Sequence, residues 1–229
     1  MDIKHQIYEL FIKNRRLRFS DIEKTLGIRS NKLSYHLTAM VKEGLLTKDE
    51  DDYILTPQGE TKIPFFSQFT SQEQGMLPAV LIAIVKGKNI LLLKRNKRPY
   101  QGYWGMPAAT LTLHESLPSC VEREAKEETG IDCAYSHTAT ILHERVKEAG
   151  HYKHAFVLFL VVVKPKTTTL KESDEGKLEW FPLKTIQPSR IIPSDYHLVK
   201  KYLGKKTNII SIEMEEKEGR LISFKQEKI

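Results

Sequence analysis

Over residues 1–62 the apolar positions follow a helical period. Ile3, Ile7, Leu10 and Phe11 recur at spacings of three and four and form one stripe. Ser20 is a candidate N-cap, and Glu23 would complete a capping box. The helix that follows carries Ile22 and Leu26 and stops at Gly27. Ser30 is expected to cap the next helix, whose apolar face is Leu33, Leu37, Met40 and Val41 and whose end is Gly44. Leu45-Leu46-Thr47, an acidic turn Asp49–Asp52, and Tyr53-Ile54-Leu55-Thr56 then read as a hairpin. The expected order is helix, helix, helix, hairpin.

The pattern changes over residues 63–77, where Pro64, Phe65, Phe66 and Phe69 sit among Ser, Thr and Gln. This segment is read as a linker partly packed on one domain. Residues 78–205 form a second domain. Ala79–Val85 and Ile90–Leu93 flank the turn Lys86-Gly87-Lys88-Asn89 as antiparallel strands. His137–Val146 and Tyr152–Val163 contain strand-like runs. Phe156–Val163 has no polar alternation, which predicts a central strand covered on both faces. Leu178–Pro182 is a further short strand, and Ser194 or Asp195 is expected to cap a helix running through Leu203. Residues 206–229 form an extension in which apolar residues flank Lys217-Glu218-Gly219, the pattern of a β-hairpin.

Between the first strands and the later ones lies the segment "GYWGMPAATLTLHESLPSCVEREAKEETGI", Gly102–Ile131. Ser116 is a helix cap, Pro118 is tolerated in the first turn, and Gly130 is the C-terminal stop. At about 100° per residue, Glu124, Glu127 and Glu128 share one helical face, and Arg123 is spaced to pair with Glu127. Carboxylates crowded on one face repel each other, and hard cations relieve the repulsion. Mg²⁺ takes oxygen ligands and bridges to substrate phosphates. By itself such a run is more often only a solvated acidic face.

The surroundings change that balance. Glu115, Arg123-Glu124-Ala125, Glu127-Glu128 and Gly130-Ile131, at their spacing, resemble the Nudix box almost position for position. The approach "LLLKRNKRPYQGYWGMP" resembles the strand and loop that precede that box. The resemblance implies an α/β/α sandwich with a mixed sheet, binding of Mg²⁺ or Mn²⁺, and pyrophosphatase activity on a nucleoside diphosphate linked to another moiety. It implies that Glu127 and Glu128 are the main metal-binding pair, Glu124 a further metal ligand, Arg123 an orienting arginine, and Glu115 the upstream glutamate of the box. The chain departs at Ala108-Ala109, where the box usually opens with Gly-Gly. If that position needs a left-handed backbone, alanine costs about 1 kcal/mol and reshapes the loop.

Softer candidates lie outside the box. Glu175 is the first choice for a late-loop catalytic carboxylate, with Asp174, Glu172 and Glu144 as alternatives. Arg95 and Arg98 match phosphate geometry. Tyr100 and Trp104 could stack on a base or fill the core, and for Trp104 the core is favoured. His143, His151 and His154 lack the spacing of a metal site and read as surface or strand histidines.

The N-terminal pattern, "SNKLSYHLTAMVKEGLL" followed by "DDYILTPQGE", resembles the recognition helix and wing of small prokaryotic winged helix-turn-helix regulators. That resemblance implies major-groove contacts from Arg29, Asn31, Lys32, Ser34, Tyr35 and His36, with Arg15, Arg16 and Arg18 near the phosphate backbone. The overall fold class expected is α+β, a winged helix-turn-helix joined to a Nudix sandwich.

Composition adds bounds. Lys and Arg number 36 against 29 Asp and Glu, a net charge of +7, which suits an anionic partner. Residues 1–48 hold ten Lys/Arg against five Asp/Glu, but the wing tip is acidic. Cys120 and Cys133 are too few for a disulfide framework and read as reduced thiols. Met1–Arg16 mixes charge and apolar residues, unlike a signal peptide. The longest apolar run, Ala155–Val163, falls short of the roughly 20 residues a membrane helix needs. The expectation is a cytoplasmic homodimer with no membrane partner, double-stranded DNA as one partner, and a nucleotide-type diphosphate as the other. Two functions fit: a Mg²⁺-dependent hydrolase that also binds DNA, or a transcription regulator whose Nudix domain senses such a ligand with little or no cleavage.

Overall fold

The computed structural model describes residues 3–63, 75–171, 173–217 and 220–227. Glu172, the phenylalanines of the expected linker, and Glu218-Gly219 lie outside the described residues. The chain divides into two compact units, Met1–Gly75 and Met76–Ile229.

In the first unit, α1 (Ile3–Lys13), α2 (Phe19–Leu26) and α3 (Ser30–Lys42) bury the apolar stripes as expected. Ile7, Phe11, Ile22, Leu33, Leu37 and Met40 form one core with Leu46 and Leu55. Those last two come from β2 (Leu46–Asp49) and β3 (Asp52–Leu55), which pair as the hairpin. A short α4 (Pro57–Glu60) follows, with Thr56 Oγ1 accepting from Gly59 N–H at 3.0 Å. Two caps differ from expectation. Arg18, not Ser20, is the N-cap of α2, and Asp21 accepts the Arg18 N–H at 3.4 Å. Ser30 is the first residue of α3 rather than its cap, and its hydroxyl donates to Glu23, tying the two helices together.

One strand was not anticipated. β1 (Arg16–Arg18) pairs with β3 and completes a three-stranded sheet in the order β1-β3-β2. A segment of this length shows no period, and its extended form comes from the partner strand. The pairing sets Arg16 2.9 Å from Asp49 and 3.7 Å from Asp52, and Arg18 3.7 Å from Asp52. These exposed arginines reach the acidic turn, where they share their charge with Asp49 and Asp52.

The second unit is built on a mixed sheet in the order β10-β5-β4-β9-β8. Its strands are β4 (Leu77–Lys86), β5 (Asn89–Arg95), β8 (Cys133–Glu148), β9 (His151–Pro165) and β10 (Gly176–Pro182). β4 and β9 run parallel, and the other neighbours run antiparallel. Alternation along the strands makes two cores. Ile82, Ile84, Leu93, Val161 and Val163 face α5 (Leu117–Thr129), while Ala83, Leu92, Leu158 and Leu160 face α6 (Pro193–Lys201). β9 is therefore covered on both faces, as its unbroken apolar run predicts.

β4 and β5 pair over only Val85↔Ile90 and Lys86↔Asn89 before diverging. Into the gap run β6 (Trp104–Gly105), paired with β5, and β7 (Ala108–Ala109), paired with β4. Asp195 pins this wedge from the other side: its Oδ2 accepts Met106 N–H at 2.7 Å. The expected capping role of Asp195 is thus replaced by a contact across the fold, and Ile192 takes the N-cap position of α6. The approach is so close that a Cβ at Gly105 would stand 2.6 Å from Ile192 Cδ1 and 2.9 Å from Asp195 Oδ2.

β11 (Ser211–Lys217) and β12 (Arg220–Glu227) form the expected terminal ribbon. Among the described residues no helix is long and apolar enough to cross a membrane.

Candidate active site

Helix α5 is set by local chemistry. Ser116 Oγ accepts Ser119 N–H at 3.3 Å, and Gly130, at φ 77°, closes the last turn with its N–H on Lys126 O at 2.9 Å. Leu117, Cys120, Val121 and Ala125 enter the core. That burial turns Arg123, Glu124, Glu127 and Glu128 away from the core.

Arg123 organises this edge. Its Nε and Nη2 bond both oxygens of Glu115 at 3.0 and 2.9 Å, and its Nη1 reaches Glu124 at 3.0 Å and Glu127 at 3.1 Å. The guanidinium pulls the Glu115 carboxyl down to about 2 against its partial desolvation, and the Thr112 N–H, at 2.9 Å, pulls the same way. The expected Arg123–Glu127 pair is present, and Arg123 also carries three more bonds.

Glu128 is different. Its Oε2 is buried and has no hydrogen-bond partner. Burial, and then the neighbouring charges of Glu124 and Glu175, push its carboxyl up to about 7, while Arg95 and the Ala108 N–H pull it back. An orphaned carboxylate oxygen beside further carboxylates lacks only a positive partner. The donors are all oxygen, which fits a hard divalent cation in kind. The donors are not gathered into a cage: among the described residues no three His, Cys, Asp or Glu side chains are grouped to hold a metal ion. Arg123 instead holds Glu124 and Glu127 at its own guanidinium.

Glu175 Oε1 lies 2.6 Å from Lys97 Nζ and its charge acts on Glu128. Asp174 is exposed. Glu144 accepts the Tyr100 hydroxyl at 2.8 Å and lines a cavity of about 180 Å³ with Arg95, Met106, Ala108, Phe156 and Asp195. Arg95 and Ala108 join this cavity to Glu128. Arg95 Nε donates to Pro99 O at 2.9 Å. Arg98 lines a separate groove, so the structure parts two arginines that the sequence grouped. Asp195 is buried, and burial raises its carboxyl to about 7.

The Ala108-Ala109 concern is resolved by pairing. Both alanines lie in β7, opposite Leu81 and Val80 of β4, and neither has a positive φ. Extended backbone carries no penalty for a Cβ, and Ala109 uses its methyl in the core. Trp104 is core, as expected, edge-on to Phe181 at 4.9 Å. His143 and His151 are exposed, and His154 packs by Tyr100 and Phe156. Sequence reasoning missed Lys97 and the buried role of Asp195. Lys97 sat in a basic run, and nothing local marks Asp195 as buried.

Comparison with known proteins accords with this geometry. A family model described as NUDIX domain matches residues 75–202. The uncharacterized Nudix hydrolase YvcI of Bacillus subtilis is 31% identical over 111 residues, covering 48% of this chain and 68% of that protein. The human 8-oxo-dGDP phosphatase NUDT18 is 32% identical over 117 residues, covering 48% of this chain, which spans 33% of that protein. A solved MutT NUDIX hydrolase from Burkholderia pseudomallei aligns with TM-score 0.49 at 23% identity, over 56% of this chain and 98% of its own. With more than half of its length matched by the family model, and with a box helix that presents Glu124, Glu127 and Glu128 around Arg123, the chain belongs to the NUDIX family of hydrolases.

Proposed function

We propose that the chain hydrolyses a phosphoanhydride in a nucleoside-diphosphate-type compound, using Mg²⁺ or Mn²⁺. The observation that carries this reading is the buried, unpartnered Oε2 of Glu128, next to Glu124 and Glu175 and beside the Arg95 cavity. A human relative's name states that it acts on 8-oxo-dGDP, which is such a compound. Glu124, Glu127 and Glu128 would hold the cation, which when bound polarises a phosphoryl oxygen and neutralises developing charge. Arg123 orients Glu115, Glu124 and Glu127. Arg95 meets the phosphates at the cavity mouth. Water oxygen bonds to phosphorus as the bridging P–O bond breaks; the leaving phosphate keeps the electron pair, and Glu175 takes the water proton. The unstrained Ala108-Ala109 backbone supports turnover over mere sensing.

The test is a panel of nucleoside diphosphates, dinucleotides and nucleotide sugars with excess Mg²⁺, read by phosphate or mononucleotide release. Turnover of at least one member is expected. A panel that binds but is never cleaved would replace hydrolysis with ligand sensing.

The first unit favours a DNA-binding role beside catalysis. α3 buries Leu33, Leu37 and Met40 while Arg29, Asn31, Lys32, Ser34 and Tyr35 are exposed, and His36 is half-buried. We read the unit as a winged helix-turn-helix over residues 1–62 that acts as a homodimer on double-stranded DNA, with the Nudix domain over 78–205 and the extension over 206–229. The protein is expected to shift a duplex from its own promoter region, and Lys32→Ala to weaken binding by about threefold to tenfold and lower the salt slope by about one. Unchanged mobility at low salt removes the DNA role.

A further inference from the structure

The terminal ribbon has two unlike faces. Successive side chains of a strand point to opposite sides, and the register of β11 and β12 sorts them. Ile212 stands opposite Gln226 and Met214 opposite Phe224, so these share one face. The register then slips by one residue: Glu215 stands opposite Ser223, but Glu216 opposite Leu221. Such a bulge sets two residues of one strand against one of the other, which brings both Leu221 and Ile222 to the side of Phe224. Ile212, Met214, Leu221, Ile222 and Phe224 thus make one apolar face, with Glu216 at one end and Gln226 at the other. The opposite face is polar: Glu213 pairs with Lys225, Glu215 with Ser223, and Lys217 with Arg220. Across it the Ser223 hydroxyl donates to Glu215 at 3.5 Å.

All five apolar side chains are exposed, from 44% at Ile212 to 66% at Leu221 and Phe224. Among the described residues none of them joins a hydrophobic core, and Ile209, just before the ribbon, is the last residue of the chain to do so. A two-stranded ribbon by itself is marginally stable in water and gains from a second layer on its apolar face. Together the five side chains expose on the order of 500 Å², at the upper end of what monomers leave open in one patch.

The chemistry of the face selects what covers it. Between Glu216 and Gln226 it has only aliphatic, aromatic and thioether groups, so no side chain there selects a polar partner. A second copy of the same face matches it, and both polar faces then stay in water. In an antiparallel stack the Glu216 carboxylate of one copy lies beside the Gln226 amide of the other, and the two like charges are kept apart. Two copies remove about 1,000 Å² from these side chains alone, the size at which an association becomes specific. A strongly apolar interface is characteristic of homodimers. Contact with a different patch of another copy would not close and would continue as a filament.

We propose that the β11–β12 ribbon is a dimer interface, in which two copies stack their apolar faces antiparallel about a twofold axis. This supplies the contact for the homodimer read above for the DNA-binding unit, and it is independent of the hydrolase reading.

Sedimentation of the full chain tests this. A dimer is expected down to about micromolar concentration. Phe224→Glu sets two like charges in the centre of the stack and is expected to weaken the dimer on the order of 100-fold, with circular dichroism and Tm unchanged. Lys225→Gln, on the polar face, is expected to leave it intact. Cross-linking adds a test that keeps the face apolar. Cys120 and Cys133 are buried, so an introduced thiol is the reactive one. With a short bismaleimide, Phe224→Cys is expected to join copy to copy several times more efficiently than Lys225→Cys. A chain that stays monomeric near 100 μM (about −5 kcal/mol), a dimer that survives Phe224→Glu, or equal cross-linking at the two positions would overturn the interface. A monomer whose Phe224→Cys thiol is shielded from maleimide gives the face to its own chain, and one that floats with phosphatidylcholine vesicles gives it to a bilayer; either overturns the proposal. Loss of the dimer in Phe224→Glu supports the interface whether or not a duplex is bound, so failure of the DNA reading is told apart from failure of this one.

Discussion

Glu128→Gln is expected to lower kcat/KM for the diphosphate substrate by on the order of 100-fold or more while making the metal-free protein more stable. The two effects have one cause. The Glu128 carboxylate is mostly buried, is crowded by Glu124 and Glu175, and leaves Oε2 without a partner. Such a charge costs stability until a cation arrives. The amide has the same shape and can keep the Ala108 N–H bond, but it neither repels its neighbours nor binds a cation strongly. A gain of about 1 kcal/mol would appear as a higher Tm in chelator. Mg²⁺ should then raise the Tm of the native protein more than that of the variant. Full activity in Glu128→Gln would remove Glu128 from the site. Lost activity with a lower Tm would mean that its role is structural.

Arg123→Lys is expected to lower kcat by about tenfold to 100-fold, the usual cost of losing a group that orients metal-binding side chains. One guanidinium makes two bonds to Glu115 and reaches Glu124 and Glu127 as well. An ammonium is a point charge and cannot span that fork. KM should move less than kcat, because in the proposed reading Arg123 acts through the carboxylates it binds. Stability carries a second signature. Arg123 holds the Glu115 carboxyl at about 2, below the ordinary 4.5 of the unfolded chain. A depressed folded value stabilises above the unfolded value and is lost as pH falls. The stability gap between native and variant protein should therefore be full above about pH 4.5 and close toward about pH 2. Urea midpoints across that range measure it, and a gap independent of pH would show that Glu115 is not held through Arg123.

How much of this was legible in the sequence depends on how far apart the interacting groups lie along the chain. The box helix was readable from end to end. Ser116 caps it, Gly130 stops it, and the helical repeat puts Arg123 one turn from Glu127. The apolar run of β9 was likewise readable as a strand buried on both faces, since hydrophobicity alone carries that signal. The caps of α2 and α3 were misplaced by one or two residues. Ser20 and Ser30 are suitable capping types, but the strand ending at Arg18 and the turn at Arg29 decide where each helix starts.

Local chain chemistry by itself determined the helix periods, the stops, the alternation of the strands and the carboxylate face of α5, because each depends on residues within a turn or two of one another. Only the tertiary structure decided the rest. Met106 meets Asp195 across 89 residues, Lys97 meets Glu175 across 78, and Tyr100 meets Glu144 across 44. Ala108-Ala109 is extended because β4 supplies its partners, whatever the local residues prefer. Burial and the field of distant charges, which set the Glu128 and Asp195 carboxyls near neutrality, exist only once the chain is folded.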